Sequence, residues 1–95
     1  MLEEYLSRSE GKTLEFKETT RGLQAIVKTV VAFANSSGGT IIIGVKDRTK
    51  DIVGITNALE EEEKLANVIS DSIFPLLMPD IEIHSFRTKE LLVLN

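Results

Sequence analysis

The feature that most constrains this chain is an unbroken apolar run, Thr40-Ile41-Ile42-Ile43-Gly44-Val45, placed directly after a glycine pair. The run is rich in β-branched residues and too short for a helix, which is typical of a central strand covered on both faces. Gly44 within it predicts a bulge or a close backbone approach. The rest of the chain must therefore supply structure on both sides of this strand.

A helix is predicted before the strand, over residues 21–35. Its apolar side chains recur at the spacing that lines one helical face: Leu23, Ile26, Val27, Val30, Val31 and Ala34. Residues 35–39, Asn-Ser-Ser-Gly-Gly, predict its end, because Asn and Gly adopt the left-handed conformation that closes a helix. A glycine pair can also cradle a phosphate, but phosphate loops usually precede a helix, so the cap is the favoured interpretation.

The remaining patterns predict an α+β domain with a mixed, mostly antiparallel sheet packed against two helices. Residues 13–17 alternate as a short strand, and residues 52–55 are expected to pair with the central strand as a hairpin. Asn57 followed by Glu60 fits a capping box. The second helix is expected to bury Leu65, Val68, Ile69, Ile73 and Leu76. Two further strands are predicted at residues 81–83 and 91–94, with a turn near Thr88 and Lys89.

The length of 95 residues indicates one domain, residues 1–95. Because the chain stops inside an apolar strand, it is expected to be an N-terminal fragment truncated at its C-terminal end. The absence of cysteine excludes disulfides and thiolate metal sites. The chain has no signal-peptide pattern and no membrane-length apolar run, so a cytoplasmic location without membrane contact is expected. No phosphate-loop or dinucleotide pattern occurs, so any ATP would be bound by another part of a longer protein.

The net charge of −4 argues at first against nucleic acid, but the charge is unevenly distributed. Residues 1–50 are more basic than acidic, and residues 51–95 are strongly acidic. The candidate phosphate-binding side chains cluster near strand ends and the predicted hairpin loop: Lys12, Lys17, Arg21, Lys46, Arg48 and Lys50. A solvated charged loop explains the same pattern equally well.

Three acids, Glu10, Glu15 and Asp47, flank the predicted first strand and the exit of the central one. Carboxylates collected at strand ends can hold a hard divalent cation, as in metal-dependent phosphodiester cleavage. The alternative is that these acids are simply solvated. His84 is the only histidine, which excludes a pair of histidine ligands.

Three segments together resemble the AlbA-like domain of the Schlafen family. They are residues 9–17 (SEGKTLEFK), 31–47 (VAFANSSGGTIIIGVKD) and 52–55 (IVGI), in the family's order and at compatible separations. The resemblance implies an N-terminal domain of a bacterial transcriptional regulator or RecG-related helicase-like protein. It also implies nucleic-acid binding and, in some animal members, a divalent-metal endoribonuclease whose acids match Glu10, Glu15 and Asp47. Those enzymes use a duplicated domain, whereas this chain has one copy, and a homodimer could supply the second. Lys46 also replaces an acid found in many relatives.

Three hypotheses follow. The first is a DNA- or RNA-binding module without catalysis and without a cofactor of its own. The second is a ribonuclease in which Glu10, Glu15 and Asp47 bind Mg²⁺ or Mn²⁺. The third is a protein-interaction or dimerisation module that uses the acidic second half of the chain.

Overall fold

A computed structural model describes residues 14–36, 38–72 and 79–95, in which strands and helices alternate before a terminal hairpin. The elements are β1 (Leu14–Lys17), α1 (Leu23–Ala34), β2 (Thr40–Ile43), α2 (Ala58–Ser72), β3 (Ile81–Phe86) and β4 (Lys89–Leu94). The predicted α+β class with two helices is confirmed.

The strands form one four-stranded sheet in the order β1-β2-β4-β3. β1 pairs with β2 in parallel, and α1 supplies the crossover that a parallel pair requires. β4 is antiparallel to both β2 and β3. The sheet is therefore mixed and mostly antiparallel, as predicted.

Both helices pack on one face of the sheet. On this face, Ile41 and Ile43 of β2 lie beside Leu92 and Leu94 of β4. The helices cover them with buried side chains from α1 and α2: Ile26, Val27, Val30, Ala58, Leu65 and Ile69. The opposite face carries a second cluster of buried residues: Leu14, Phe16, Ile42, Val45, Leu91 and Val93.

The central strand β2 belongs to both clusters. Ile41, Ile42 and Ile43 are at most 1% exposed, which confirms the prediction of a strand covered on both faces. Burying an isoleucine side chain contributes about 1.5–3 kcal/mol to the free energy of folding, so these three residues contribute strongly to the stability of the fold.

Three details of the predicted helices differ from the structure. Val31 and Ala34, expected on the buried face of α1, are both exposed, because α1 contacts the core through the narrower stripe of Ile26, Val27 and Val30. Asn57 has a φ of 57°, the left-handed region, whereas a capping-box residue takes an extended conformation. Ile73 and Leu76 lie outside the described residues.

Among the described residues, no helix has both the length and the apolarity needed to cross a membrane.

Candidate nucleic-acid interface

The strand directions bring distant segments of the chain to one end of the sheet. Because β1 and β2 are parallel, the segments that follow these two strands leave the sheet at the same end. β4 runs antiparallel to β2, so the β3–β4 turn lies at that end too. We call it the basic end, after the cations on its strand ends and loops: Lys17, Arg21, Lys46, Arg48, Lys50, Arg87 and Lys89. The other Lys and Arg of the described residues, Lys28 and Lys64, lie on the helices.

The 46–50 loop is a compact turn that follows β2. An isolated antiparallel bridge between Val45 and Ile52 closes it. The Lys46 N–H donates to the Asp51 carbonyl at 3.0 Å, and the Lys50 N–H donates to the Lys46 carbonyl at 2.9 Å. Residues 46–49 are exposed. The loop therefore has a fixed backbone and presents Lys46 and Arg48 to solvent.

Gly44 fixes the base of this loop. Its φ is 113°, and its carbonyl accepts from the Val53 and Gly54 N–H groups at 2.8 and 3.0 Å. A Cβ at this position would lie 2.6 Å from Leu91 Cδ2 and 3.4 Å from Gly54 Cα. The close backbone approach predicted at Gly44 is confirmed.

Residues 52–55 do not continue as the hairpin strand predicted for them. Beyond the single bridge at Ile52, the segment turns away, and the Ile55 N–H donates to the Glu90 carbonyl at 2.8 Å. The reason is that β1 and β4 already occupy the two edges of β2, which leaves no edge for another strand. The segment instead connects the base of the 46–50 loop to the start of β4.

Residues 18–22 form a second connection at the basic end. The Thr20 hydroxyl donates to the Glu61 carboxylate, which also accepts from Lys64 Nζ at 3.1 Å. These hydrogen bonds, Thr20 first and then Lys64, together with the charge of Lys64, hold the pKa of Glu61 below its ordinary value. Arg21 is exposed. The acidic start of α2 is therefore bonded to residues 18–22, in the basic first half of the chain.

Lys17 and Lys50 are partly engaged with their surroundings. Lys17 Nζ forms an ion pair with Glu15 Oε2 at 3.1 Å. Lys50 Nζ lies 5.9 Å from the centroid of the Phe16 ring, which itself is 2% exposed. Both cations lie near the sheet, and Lys46 and Arg48 extend farther into solvent. Lys12 lies outside the described residues.

The structure places two of the three candidate metal-binding acids. Glu15 is paired with Lys17 on β1, beside Ile41, and Asp47 is exposed in the loop four residues beyond the end of β2. Residues 14–36, 38–72 and 79–95 contain no group of three His, Cys, Asp or Glu suited to a metal ion. Glu10 lies outside these ranges, so the three-acid site stays a prediction.

The β3–β4 turn carries functional candidates that the sequence reasoning missed. Arg87 has a φ of 58°, and its guanidinium lies 5.4 Å from the centroid of the Phe86 ring. This turn and residues 53–56 together line a polar cleft of about 480 Å³. The signal available in the sequence was an Arg-Thr-Lys turn between two predicted strands. The acidity of the surrounding half of the chain obscured it.

The glycine pair lies at the opposite end of the sheet and caps α1. The Gly38 N–H donates to the Phe33 carbonyl at 3.0 Å, and the Asn35 N–H donates to the Val31 carbonyl at 3.0 Å. A Cβ on Gly39 would lie 2.6 Å from the Phe33 ring. The favoured interpretation, a helix cap and tight turn, is confirmed, with Gly38 at a φ of 98°. Asn35 does not take the left-handed conformation expected of it, since its φ is −85°. His84 is half-buried and hydrogen-bonded to Glu82 at 2.9 Å.

A comparison with known protein sequences identifies a relative of this chain. An uncharacterised ATP-binding protein of Ureaplasma parvum serovar 3 is 40% identical over 89 residues, which are 90% of this chain and 25% of that protein. The chain thus spans a quarter of that relative's length.

Two solved structures share the fold. The N-terminal domain of an ATP-dependent DNA helicase RecG-related protein from Nitrosomonas europaea has a TM-score of 0.76 at 24% identity, covering 98% of this chain and 67% of that one. A Corynebacterium diphtheriae protein has a TM-score of 0.70 at 20% identity, covering 98% of this chain and 24% of that one. Residues 10–95 match the family described as Schlafen, AlbA_2. The chain therefore belongs to the Schlafen AlbA_2 family.

Proposed function

We propose that this domain is a nucleic-acid-binding module, without catalysis of its own, of a longer helicase-related or regulatory protein. The observation that carries the proposal is the gathering of cations on loops at one end of the sheet. Arg21, Lys46 and Arg48 are exposed there, and none of them forms an ion pair with another described residue. Exposed cations on a fixed backbone, without an ion-pair partner among the described residues, suit the phosphates of a nucleic-acid chain.

The acids near this end favour one direction of approach. Glu60 and Glu61 lie in the first turn of α2, on the helix side of the sheet. They repel a polyanion from that side and leave the loops at the sheet end as the favourable contact. Asp47 and Asp51 lie beside the loop cations and moderate their field. Weak, salt-sensitive and sequence-tolerant binding is the expected result.

The descriptions of two related proteins support the proposal of a nucleic-acid-binding module. The fold neighbour from Nitrosomonas europaea is the N-terminal domain of a protein related to a DNA helicase. The Ureaplasma parvum relative is described as ATP-binding, and it is about four times as long as the region it shares with this chain. We assign nucleic-acid contact to this domain and ATP binding to other parts of such proteins.

The test is titration of labelled duplex DNA, single-stranded DNA and structured RNA with the chain in EDTA, over a series of salt concentrations. The variant Lys46→Gln/Arg48→Gln is expected to reduce the salt slope on duplex DNA by about 0.9 for each phosphate that the protein no longer neutralises. The matched control is Lys28→Gln/Lys64→Gln, which removes the same charge from the helices. Equal effects of the two double variants would contradict an interface at the basic end.

The same reactions, repeated with Mn²⁺ and run on denaturing gels, address the ribonuclease hypothesis. The module we propose leaves the ligand intact with or without metal. RNA cleavage that requires Mn²⁺ and is lost in Asp47→Ala would replace the proposal with an enzyme using Glu10, Glu15 and Asp47. Absence of salt-dependent binding to every ligand would favour the protein-interaction hypothesis, including a homodimer.

A further inference from the structure

The basic end of the sheet carries a second group of cations, which belongs to the C-terminal part of the chain. The β3–β4 turn presents Arg87 and Lys89, both exposed. Neither side chain forms an ion pair within residues 14–36, 38–72 and 79–95. These two cations were not among those predicted from the sequence to contact phosphate, yet the sheet places them at the same end as the 46–50 loop.

The turn is held firmly against the base of that loop. The Ile55 N–H donates to the Glu90 carbonyl at 2.8 Å. Gly54 lies so close to Lys89 that a Cβ on Gly54 would be 3.0 Å from Lys89 Cβ. The Gly54 N–H also donates to the carbonyl of Gly44, which lies two residues before the 46–50 loop. A short chain of backbone contacts therefore fixes the two cationic elements relative to each other.

The cleft between the β3–β4 turn and residues 53–56 has the chemistry of a phosphate site. Its lining combines two cations with three hydroxyl groups and one carboxylate: Arg87, Lys89, Thr56, Ser85, Thr88 and Glu90. The Arg87 guanidinium lies over the Phe86 ring, which restricts its rotamers and reduces the entropy lost on binding an anion.

The backbone conformation at Arg87 follows from the hairpin. Phe86 pairs with Lys89, so Arg87 and Thr88 form a two-residue turn, and such turns have a positive φ at their first central residue. The φ of 58° at Arg87 fits this requirement. The turn therefore holds Arg87 on a defined backbone beside the cleft.

We propose that the β3–β4 turn is a second phosphate-contacting element, and that the cleft beside residues 53–56 receives a backbone phosphate of the nucleic acid. The inference rests on the proposed function and extends it. The bound strand crosses the basic end from the 46–50 loop to the turn. The polar cleft contacts phosphate and hydroxyl groups rather than base edges, so this contact carries no sequence preference.

The experiment compares Arg87→Asn/Lys89→Gln with wild type and with the control Lys28→Gln/Lys64→Gln, using labelled duplex DNA in EDTA. Asn is chosen because it tolerates the left-handed backbone at position 87. At about 0.9 per phosphate, removing two cations that each neutralise one phosphate reduces the salt slope by roughly 1.8, which corresponds to about 60-fold weaker binding near 0.1 M salt. Thermal unfolding of each variant shows that the fold is retained, and Arg87→Lys, which keeps the charge, is expected to recover most of the affinity.

The outcomes separate the two proposals. If wild type binds and Lys46→Gln/Arg48→Gln weakens binding, but Arg87→Asn/Lys89→Gln behaves like the control, the role of the turn is wrong and the proposed function stands. If wild type binds no nucleic acid, both proposals fall. A competition with ATP distinguishes the source of the phosphate: direct ATP binding that is lost in Arg87→Asn/Lys89→Gln would make the cleft a nucleotide site and overturn its assignment to a nucleic-acid backbone.

Discussion

The two ends of the sheet are built differently. At the end opposite the basic end, the chain closes on itself: the Thr40 hydroxyl donates to Asn95 Oδ1 at 2.7 Å, and Asp80 and Asn95 exchange backbone hydrogen bonds of 3.3 and 2.9 Å. At the basic end, exposed loops extend beyond the strands, and all the described non-glycine residues with positive φ are found there: Lys50, Asn57 and Arg87. Hydrogen bonds join the segments at one end, which also holds an apolar cavity of about 200 Å³ whose lining includes Phe33, Gly39 and Leu94. The basic end instead presents charge on a constrained backbone, so the two ends suit ligands of different chemistry.

The largest expected effect is at Gly44, which fixes the base of the loop. Gly44→Ala places a side chain in a region of φ that L-residues rarely adopt and pushes it against Leu91. We expect a loss of about 3 kcal/mol in the free energy of unfolding, from backbone strain and overpacking together. Urea denaturation measures it. Gly38→Ala, at the opposite end and with open space around its Cβ, is the matched control and is expected to lose only about 1–2 kcal/mol. Equal losses would show that the close approach to Leu91 has little weight.

A smaller effect is expected where the opposite end closes. Thr40 is 8% exposed, and its hydroxyl is bonded to Asn95. Thr40→Val keeps the shape and removes the donor, so we expect a loss of about 1 kcal/mol in the free energy of unfolding. Nucleic-acid binding by this variant should match that of wild type, because the site proposed lies at the other end. Weakened binding in the folded variant would contradict the division between the two ends.

The pH dependence of stability probes the contact between residues 18–22 and α2. The lowered pKa of Glu61 means that its carboxylate is stabilised in the folded chain. This contribution is complete above the ordinary glutamate pKa of about 4.3 and is lost as the pH falls through the folded value. Urea denaturation from pH 7 to pH 3 should therefore show a smaller acid-induced loss in Glu61→Gln than in wild type. Glu63→Gln, an exposed residue of the same helix, is the control and should follow the wild-type profile.

The smallest expected effect on stability is at Arg87. Arg87→Asn relieves the left-handed backbone but removes the guanidinium that lies over the Phe86 ring. These terms oppose each other, so the free energy of unfolding should stay within about 0.5 kcal/mol of wild type. Binding should nevertheless weaken. A large loss of stability would instead indicate a structural role for Arg87 in the hairpin.

Local patterns predicted the elements that depend on neighbouring residues. The spacing of Ile26, Val27 and Val30 predicted α1, and the run from Thr40 to Val45 predicted a strand buried on both faces. Both signals are periodic or compositional, so short stretches of chain contain them in full. The glycine pair after α1 was likewise interpreted correctly as a cap, because its conformational preference is local.

Strand pairing was harder to predict from the sequence, and the candidate site depends on which strands pair. Residues 52–55 have the apolar composition and the spacing of a hairpin partner, but β1 and β4 exclude them from β2. The same pairing placed Arg87 and Lys89, which belong to an acidic half of the chain, beside the predicted cations of the 46–50 loop. No local pattern states which strand edges are already occupied.

By itself, the sequence determined the class of fold, the central strand, the first helix and the family, because these follow from local periodicity and ordered motifs. Only the tertiary structure decided which loops share an end of the sheet. That choice arises from competition between strands far apart in the chain for the two edges of β2. The resulting arrangement brings cations that are far apart in the sequence to one end of the sheet. It also places the acidic start of α2 beside residues 18–22, in the basic first half of the chain.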